Sequence, residues 1–413
     1  MTGLLNKGYL FAVLAIAACS TVMLVLCLDE TRFAQMSAQN GASFIDFLKV
    51  YWLAKMVLAG QGRYVYDESA RTAFLSSQNV SKAAIEYFKF LPYPPFLYPL
   101  FIPFALLPRI QAFGVWLLSS FAVAFAGLFY LRKQIAKTDT ASELLLAYAL
   151  LIGSVFFFNN YWLGQSACLL VGLAAFFFAA FMRKNDTVCG IAIAFSTVKF
   201  QFLLLLGAPL LMHFRWRAML VAALVESVFV SFAILALGVH NLTIYPQVLN
   251  VQELLHPNIP LMINLRGALY ELLPSSDRLQ ETLSAIVAVI FNCTLWFFSK
   301  KTAQIKYAIC LASLSYVILG PHVFVYDGLL LALSIFAIVP EFSVSGVLKL
   351  TNARKKLQCL LLLASPFLEW LGYFRSNEFL ARLVLLMNAT LFVLIFMDWL
   401  QTLPKPKSQN LQA

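Results

Sequence analysis

Residues 187–212 read TVCGIAIAFSTVKFQFLLLLGAPLLM, an apolar run interrupted by Lys199 and Gln201. About 20 apolar residues suffice to cross a bilayer as a helix, so the run is long enough for one crossing. As a single straight crossing, with 93–108 and 112–131 as two more, it puts the basic loops 132-RKQIAK-137 and 183-RK-184 outside the cell. That conflicts with the excess of Lys and Arg expected in cytoplasmic loops. The alternative breaks 187–212 near Lys199 into two short helices. It also makes 93–131 one net crossing with a Pro-rich, partly re-entrant start. Every basic loop then faces the cytoplasm, and 159-NNYWLGQ-165 and Lys199 join Asp46 on the outer side. Broken helices at membrane depth are tolerated where they line a cavity, and the sequence is read this way.

The rest of the chain supports a membrane setting. Its 413 residues are 61% hydrophobic and 12% charged, with a mean hydropathy of +0.81. Soluble domains average about 45–50% apolar and about 25% charged residues. The expected fold class is therefore an all-α polytopic membrane protein with about 12 transmembrane helices. The net charge of +11 comes from clusters in short loops, such as 300-KKTAQIK-306, 352-NARKK-356 and 404-PKPK-407. This is the positive-inside pattern, and no nucleic-acid partner is expected. Seven Cys are scattered without a CxxC pair, and His213, His240, His256 and His322 lie far apart. These spacings support neither a disulfide framework nor a zinc site. No DxD motif occurs, and no metal or cofactor is expected.

Lys7 precedes an apolar run in which 16-IAAC-19 has the look of a cleavage box. Apolar residues continue to Leu28, however, so Tyr9 to Leu28 is read as an uncleaved first span with a cytoplasmic N-terminus. Residues 29–92 follow as a first extracytoplasmic loop with seven Lys/Arg and six Asp/Glu. Within it, 44–59 is read as an interfacial helix. Further spans are expected at 93–131, 142–158, 162–182, 187–212, 216–238, 281–299, 305–320, 322–340, 356–373 and 379–402. A second extracytoplasmic loop covers 239–280, within a single domain and with a cytoplasmic C-terminus.

Ionisable residues inside spans are costly and usually functional. Asp46, in 43-SFID-46, has two readings: a capping box that reaches back to a helix-start amide, with Lys49 as a same-face partner, or a catalytic acid. In 92-PYPPFLYPLFIPF-104, prolines favour extended backbone ahead of a span. Asn159, Asn160, Gln165, Lys199 and Gln201 are polar within apolar runs, and Lys199 has no acidic neighbour in its own segment. A phosphate is one partner for such a cation, and snorkelling or interhelical bonding is the other reading. In 320-GPHVFVYDG-328, His322 and Asp327 open a span.

Taken in order, these segments resemble glycosyltransferase family 87 of the GT-C superfamily, which includes polyprenol-phosphate-mannose-dependent α-mannosyltransferases. The matching elements are 46-DFLKVYWLAKMVLAGQGRYVYD-67, 93-YPPFLYPLFIPFALLP-108, 164-GQSACLL-170, the Lys of 198-VKFQF-202, 264-NLRGAL-269 and 321-PHVFVYDGLLLAL-333. The chain departs from the family where an Asn often follows Gln165 and a Pro commonly follows Lys199. The resemblance implies a GT-C-like bundle in a bacterial inner membrane, with its active site on the outer face. It also implies a polyprenyl-phosphate-linked sugar donor, a hydroxyl acceptor on an envelope glycolipid or glycan, and inversion at the anomeric carbon. Asp46 matches the position of the general base. Lys199, His322 and Arg266 are then the candidates for the donor phosphate. Tyr51, Trp52, Tyr93, Gln165, Asn264 and Asp327 are candidates for sugar and acceptor contacts. The competing class is a transporter or flippase of lipid-linked sugars, which often carries paired internal repeats; the two halves here show no convincing similarity.

Overall fold

A computed structural model describes residues 44–89, 91, 93–135, 141–254, 259–270, 277–300, 302–338 and 352–403. The expected first span at Tyr9 to Leu28, Ser43, Pro92, His256 and both termini lie outside the described residues. Among these residues every regular element is a helix and there is no strand. The principal helices are α1 (Ile45–Leu58), α2 (Arg109–Ile135), α3 (Ala141–Ile152), α4 (Val155–Leu163), α5 (Ala167–Met182), α6 (Asp186–Ser196), α7 (Leu203–Met212), α8 (Trp216–Leu237) and α9 (Val239–Leu254). They continue with α10 (Asp277–Phe298), α11 (Thr302–Leu319), α12 (Leu331–Ile338), α13 (Ala353–Arg375) and α14 (Asn377–Thr402).

Five stretches are long and apolar enough to cross a membrane: Arg109–Ile135, Asp186–Met212, Trp216–Leu237, Leu279–Phe298 and Glu378–Thr402. The pair α3–α4, bent by 54°, makes a sixth. Against the roughly twelve crossings expected, several apolar helices are short, among them α5. The bend at 153–154 was not anticipated, since 142–158 reads as one apolar run. Its freed backbone groups find partners on α13: Val155 N–H donates to the Glu369 carboxylate at 3.2 Å, and Trp370 Nε1 donates to Gly153 O at 2.8 Å. Such re-satisfaction is what makes a break tolerable in an apolar setting.

Residues 186–212 do not form a straight crossing. A continuous helix of that length would separate its ends by about 40 Å. Instead Arg215, three residues beyond α7, donates from Nε to Asp186 Oδ1 at 2.5 Å and from its guanidinium to Phe181 O at 3.3 Å. Helices α6 and α7 are therefore the legs of a hairpin. A 3₁₀ segment, Thr197–Phe202, forms the tip, where Lys199 leaves helical geometry at φ −131°, ψ 87°. The tip is level with the middle of α8, where the Thr197 hydroxyl bonds the Glu226 carboxylate. Counting residues along α8 at 1.5 Å each puts it about 15 Å from either end of that helix.

The basic loops gather at one end. Lys300 Nζ donates to Met212 O, Trp399 Nε1 to Ser299 Oγ, Gln304 to Thr402 O and Arg354 to Asp398. Helix α2 runs parallel to α5, with Trp116 at Gly164 and Tyr130 at Phe176, so Arg132 and Lys133 point to the same end. The crossing of α2 and α5 is close because a Cβ on Gly172 would lie 2.4 Å from Val123 O, and one on Gly127 would lie 2.3 Å from Gly172 O. Small residues at helix crossings let backbones approach in this way. Gly172→Leu is expected to cost at least about 1–3 kcal/mol through overpacking, read as a lowered unfolding temperature of the detergent-purified protein.

Segment 93–108 contains no helix long enough to cross a membrane. It makes only the short helices Leu97–Leu100 and Ile102–Ala105 before α2 begins. The segment read as an interfacial helix is α1, and it is enclosed rather than laid on a surface: Ile45, Phe47, Leu48, Val50, Tyr51, Leu53, Ala54 and Met56 are all buried.

Candidate active site

Helix α1 starts without a side-chain cap. Its N-cap is Phe44 in left-handed geometry at φ 59°, with its N–H on Trp162 O at 2.7 Å. The capping-box reading of 43-SFID-46 also needs Ser43, which lies outside the described residues. Asp46 Oδ1 accepts the Tyr93 hydroxyl at 2.8 Å, and its Oδ2 accepts Gln165 Nε2 at 2.5 Å. Lys49 Nζ stands 3.7 Å from Oδ1. Burial pushes the Lys49 ammonium below the usual lysine range, with Asp46 pulling it back up. Each carboxylate oxygen has two lone pairs, so both retain capacity to accept a proton.

Three local features bring these groups together. Gly164 ends α4 at φ +71°, and a Cβ there would meet Phe47 Cβ at 2.5 Å. Only glycine lets α1 pack this closely on the 162–165 turn, which sets Gln165 against Asp46. Tyr93 precedes Pro94, which disfavours helical backbone. Its carbonyl is held instead by the Tyr66 hydroxyl at 3.0 Å, while its own hydroxyl reaches the carboxylate. Trp116 Nε1 on α2 fixes Gly164 O at 3.2 Å.

Asp46, Tyr93 and Gln165 border a cavity of about 220 Å³. Its remaining wall comes from α2, α5, the tip of the α6–α7 hairpin and the two short helices before α2. Most of that wall is apolar, including Phe101, Phe104, Trp116 and Leu169.

Lys199 sits next to Val198, which lines this cavity. Its partner comes from 128 positions later: Nζ is 2.5 Å from Asp327 Oδ1, with side-chain exposures of 18% for Lys199 and 1% for Asp327. Asp327 Oδ2 accepts the Phe324 N–H at 3.1 Å. The ammonium also lies 5.1 Å from the Tyr326 ring centre, and Tyr326 is within electrostatic reach of both Asp46 and Asp327. The base candidate and the cation candidate thus belong to one neighbourhood, bridged by Tyr326.

Arg266, His322 and Asn264 form a separate group at the same end of the bundle. Arg266 is fully buried, donates to Pro321 O at 3.1 Å and pairs with Glu281 at 3.5 Å. His322 Nε2 is 3.5 Å from the same carboxylate. Asn264 bridges Gly320 O at 2.6 Å and Gly267 N–H at 2.9 Å, so it ties the 264–269 turn to the segment that opens the next helix. Tyr51 is buried, donates to Leu107 O at 3.0 Å and stacks on Phe47. Trp52 meets Tyr51 edge to face, and neither ring borders the cavity.

Sequence reading overlooked two carboxylates paired with these segments, as it did Glu369 and Asp398 inside the spans expected at 356–373 and 379–402. Glu226 is a lone acid in the apolar run 216–237, and the rule that singled out Lys199 applies to it equally. Glu281 has no such signal, because it follows a polar loop. Among the described residues no three His, Cys, Asp or Glu side chains converge as a metal site would require.

A search of curated proteins finds none that matches the chain. The family model for glycosyltransferase family 87 matches residues 90–321, more than half of the chain. The match takes in Tyr93, Gln165, Lys199, Asn264 and Arg266, and begins after Asp46. By that match the chain belongs to glycosyltransferase family 87.

Proposed function

We propose that the protein is an inverting hexosyltransferase of a bacterial inner membrane. It moves a mannosyl unit from a polyprenyl-phosphate donor to a hydroxyl of an envelope glycolipid or glycan. About twelve crossings, cytoplasmic termini and an extracytoplasmic site complete this reading, supported by the gathering of basic loops at the end opposite Asp46. The observation that carries the chemistry is the carboxylate itself. Asp46 is oriented by two hydrogen-bond donors, faces a cavity, and lies in the neighbourhood of Lys199, whose ammonium is paired with the buried Asp327.

In the proposed step the acceptor oxygen forms a bond to the anomeric carbon as the bond from that carbon to the phosphate oxygen breaks. The hydroxyl proton passes to Asp46, and the polyprenyl phosphate leaves with the electron pair. Tyr93 and Gln165 hold the carboxylate in place, so little reorganisation is needed as it takes up the proton. Lys199 stabilises the charge developing on the leaving phosphate, sharing its ammonium between phosphate and Asp327. Arg266 and His322 are second candidates for that charge, and Asn264 orders the turn that carries Arg266.

One displacement predicts one inversion. Purified protein in nanodiscs, supplied with polyprenyl-phosphate-mannose of defined β configuration and a membrane-lipid acceptor extract, is expected to give an α-linked product by NMR. A β-linked product would overturn the single-displacement mechanism. Transfer only from another prenyl-linked sugar would overturn the mannosyl assignment.

A further inference from the structure

The cavity against Asp46 has a chemical polarity that bears on which substrate it holds. Its polar end consists of Asp46, Tyr93 and Gln165, and the wall beyond is Leu97, Phe101, Phe104, Trp116, Leu169 and Phe195. Its volume of about 220 Å³ equals the liquid volume of roughly seven waters. That is room for a compact group and the start of a chain. Two lining residues lie on the outer surface of the bundle: Ser119 is exposed and Phe195 is 39% exposed. The cavity thus reaches the flank between α2 and α6. In a membrane-spanning bundle that flank meets lipid chains.

Both substrates of the proposed reaction could bring hydrocarbon, so charge must discriminate between them. Lys199, Arg266 and His322 do not line the cavity, whereas the Asp46 carboxylate does. A phosphate seated there would face a like charge, while a neutral hydroxyl would find an acceptor for its proton.

Building on the reading of Asp46 as the base, we infer that this cavity seats the acceptor and that the acceptor is a neutral amphiphile. Its reactive hydroxyl lies against Asp46, and its hydrocarbon leaves through the flank between α2 and α6. A free, water-soluble glycan lacks the part that fills most of the wall.

The test uses the wild-type protein in nanodiscs and an alkyl glucoside with a diazirine in its chain, photolysed and mapped by mass spectrometry. Labels are expected on Val123 and Phe195, suppressed by unlabelled dodecyl glucoside and not by farnesyl phosphate. Suppression by farnesyl phosphate alone would overturn the inference and give the cavity to the donor. Labels scattered over the lipid-facing surface without competition would also overturn it. Val123→Trp, which fills the wall, is expected to reduce the competed labelling about tenfold, the effect of one or two lost methylene contacts. In transfer assays it should raise the acceptor KM by a similar factor without moving the donor KM. Equal transfer to methyl glucoside and dodecyl glucoside would overturn the amphiphile and leave the transferase reading intact. Competed labelling without transfer to any acceptor would uphold the seat and count against the transferase reading instead.

Discussion

Asp46→Asn is expected to lower transfer by about 10²–10⁴-fold, the usual contribution of general-base assistance. The amide keeps the shape of the carboxylate and can still bond Tyr93 and Gln165 after an amide flip, so the packing of α1 should survive. What it loses is the ability to take a proton from an attacking hydroxyl. The comparison is made under single turnover with donor saturating, and with the unfolding temperature of both proteins recorded. Wild-type turnover by the variant would remove Asp46 from the chemistry. A large fall in unfolding temperature would show instead that the carboxylate mainly holds α1 against the 162–165 turn.

The second large effect comes from Lys199→Met. This change leaves the Asp327 carboxylate, at 1% exposure, without its cation. Breaking one partner of a buried ion pair typically costs about 3–5 kcal/mol. Adding Asp327→Asn removes the stranded charge while leaving an oxygen for the Phe324 N–H, so the double variant should regain most of that stability. Transfer should not return with it. Loss of a positioned donor to a developing negative charge typically costs about 10²–10³-fold, and both the single and the double variant lack the ammonium. Denaturant unfolding in detergent reads the first quantity and donor-dependent transfer the second. Full transfer by the double variant would mean that Lys199 serves only to neutralise Asp327.

The pairing of Lys199 with Asp327 also changes how the sequence looks in retrospect. An unneutralised lysine in an apolar run pointed to an anionic partner, and the chain supplies one itself. That partner sits 128 positions away, and no local pattern connects the two. The same holds for Asp46. Its sequence fits a capping box, and only the fold brings Tyr93 and Gln165 from two distant segments onto its oxygens. Glu226 was legible by the same rule as Lys199, since an acid inside an apolar run is costly wherever it stands. Glu281 was not, because its flanks are polar.

The membrane setting, the helical class and the break at Lys199 are all legible from the order of residues. These follow from one-dimensional quantities: apolar run length against bilayer thickness, and the distribution of Lys and Arg among loops. The preference for a broken 187–212 came from charge bookkeeping alone, and the contact of Arg215 with Asp186 bears it out. Tertiary structure decided which polar groups share a site, that α1 is enclosed, and that α3 and α4 meet at a 54° bend. These depend on contacts between residues tens to hundreds of positions apart, such as Asp46 with Gln165 and Val155 with Glu369. Burial of a polar atom creates a demand that the sequence reveals, but the atom that meets it is chosen by how the helices pack.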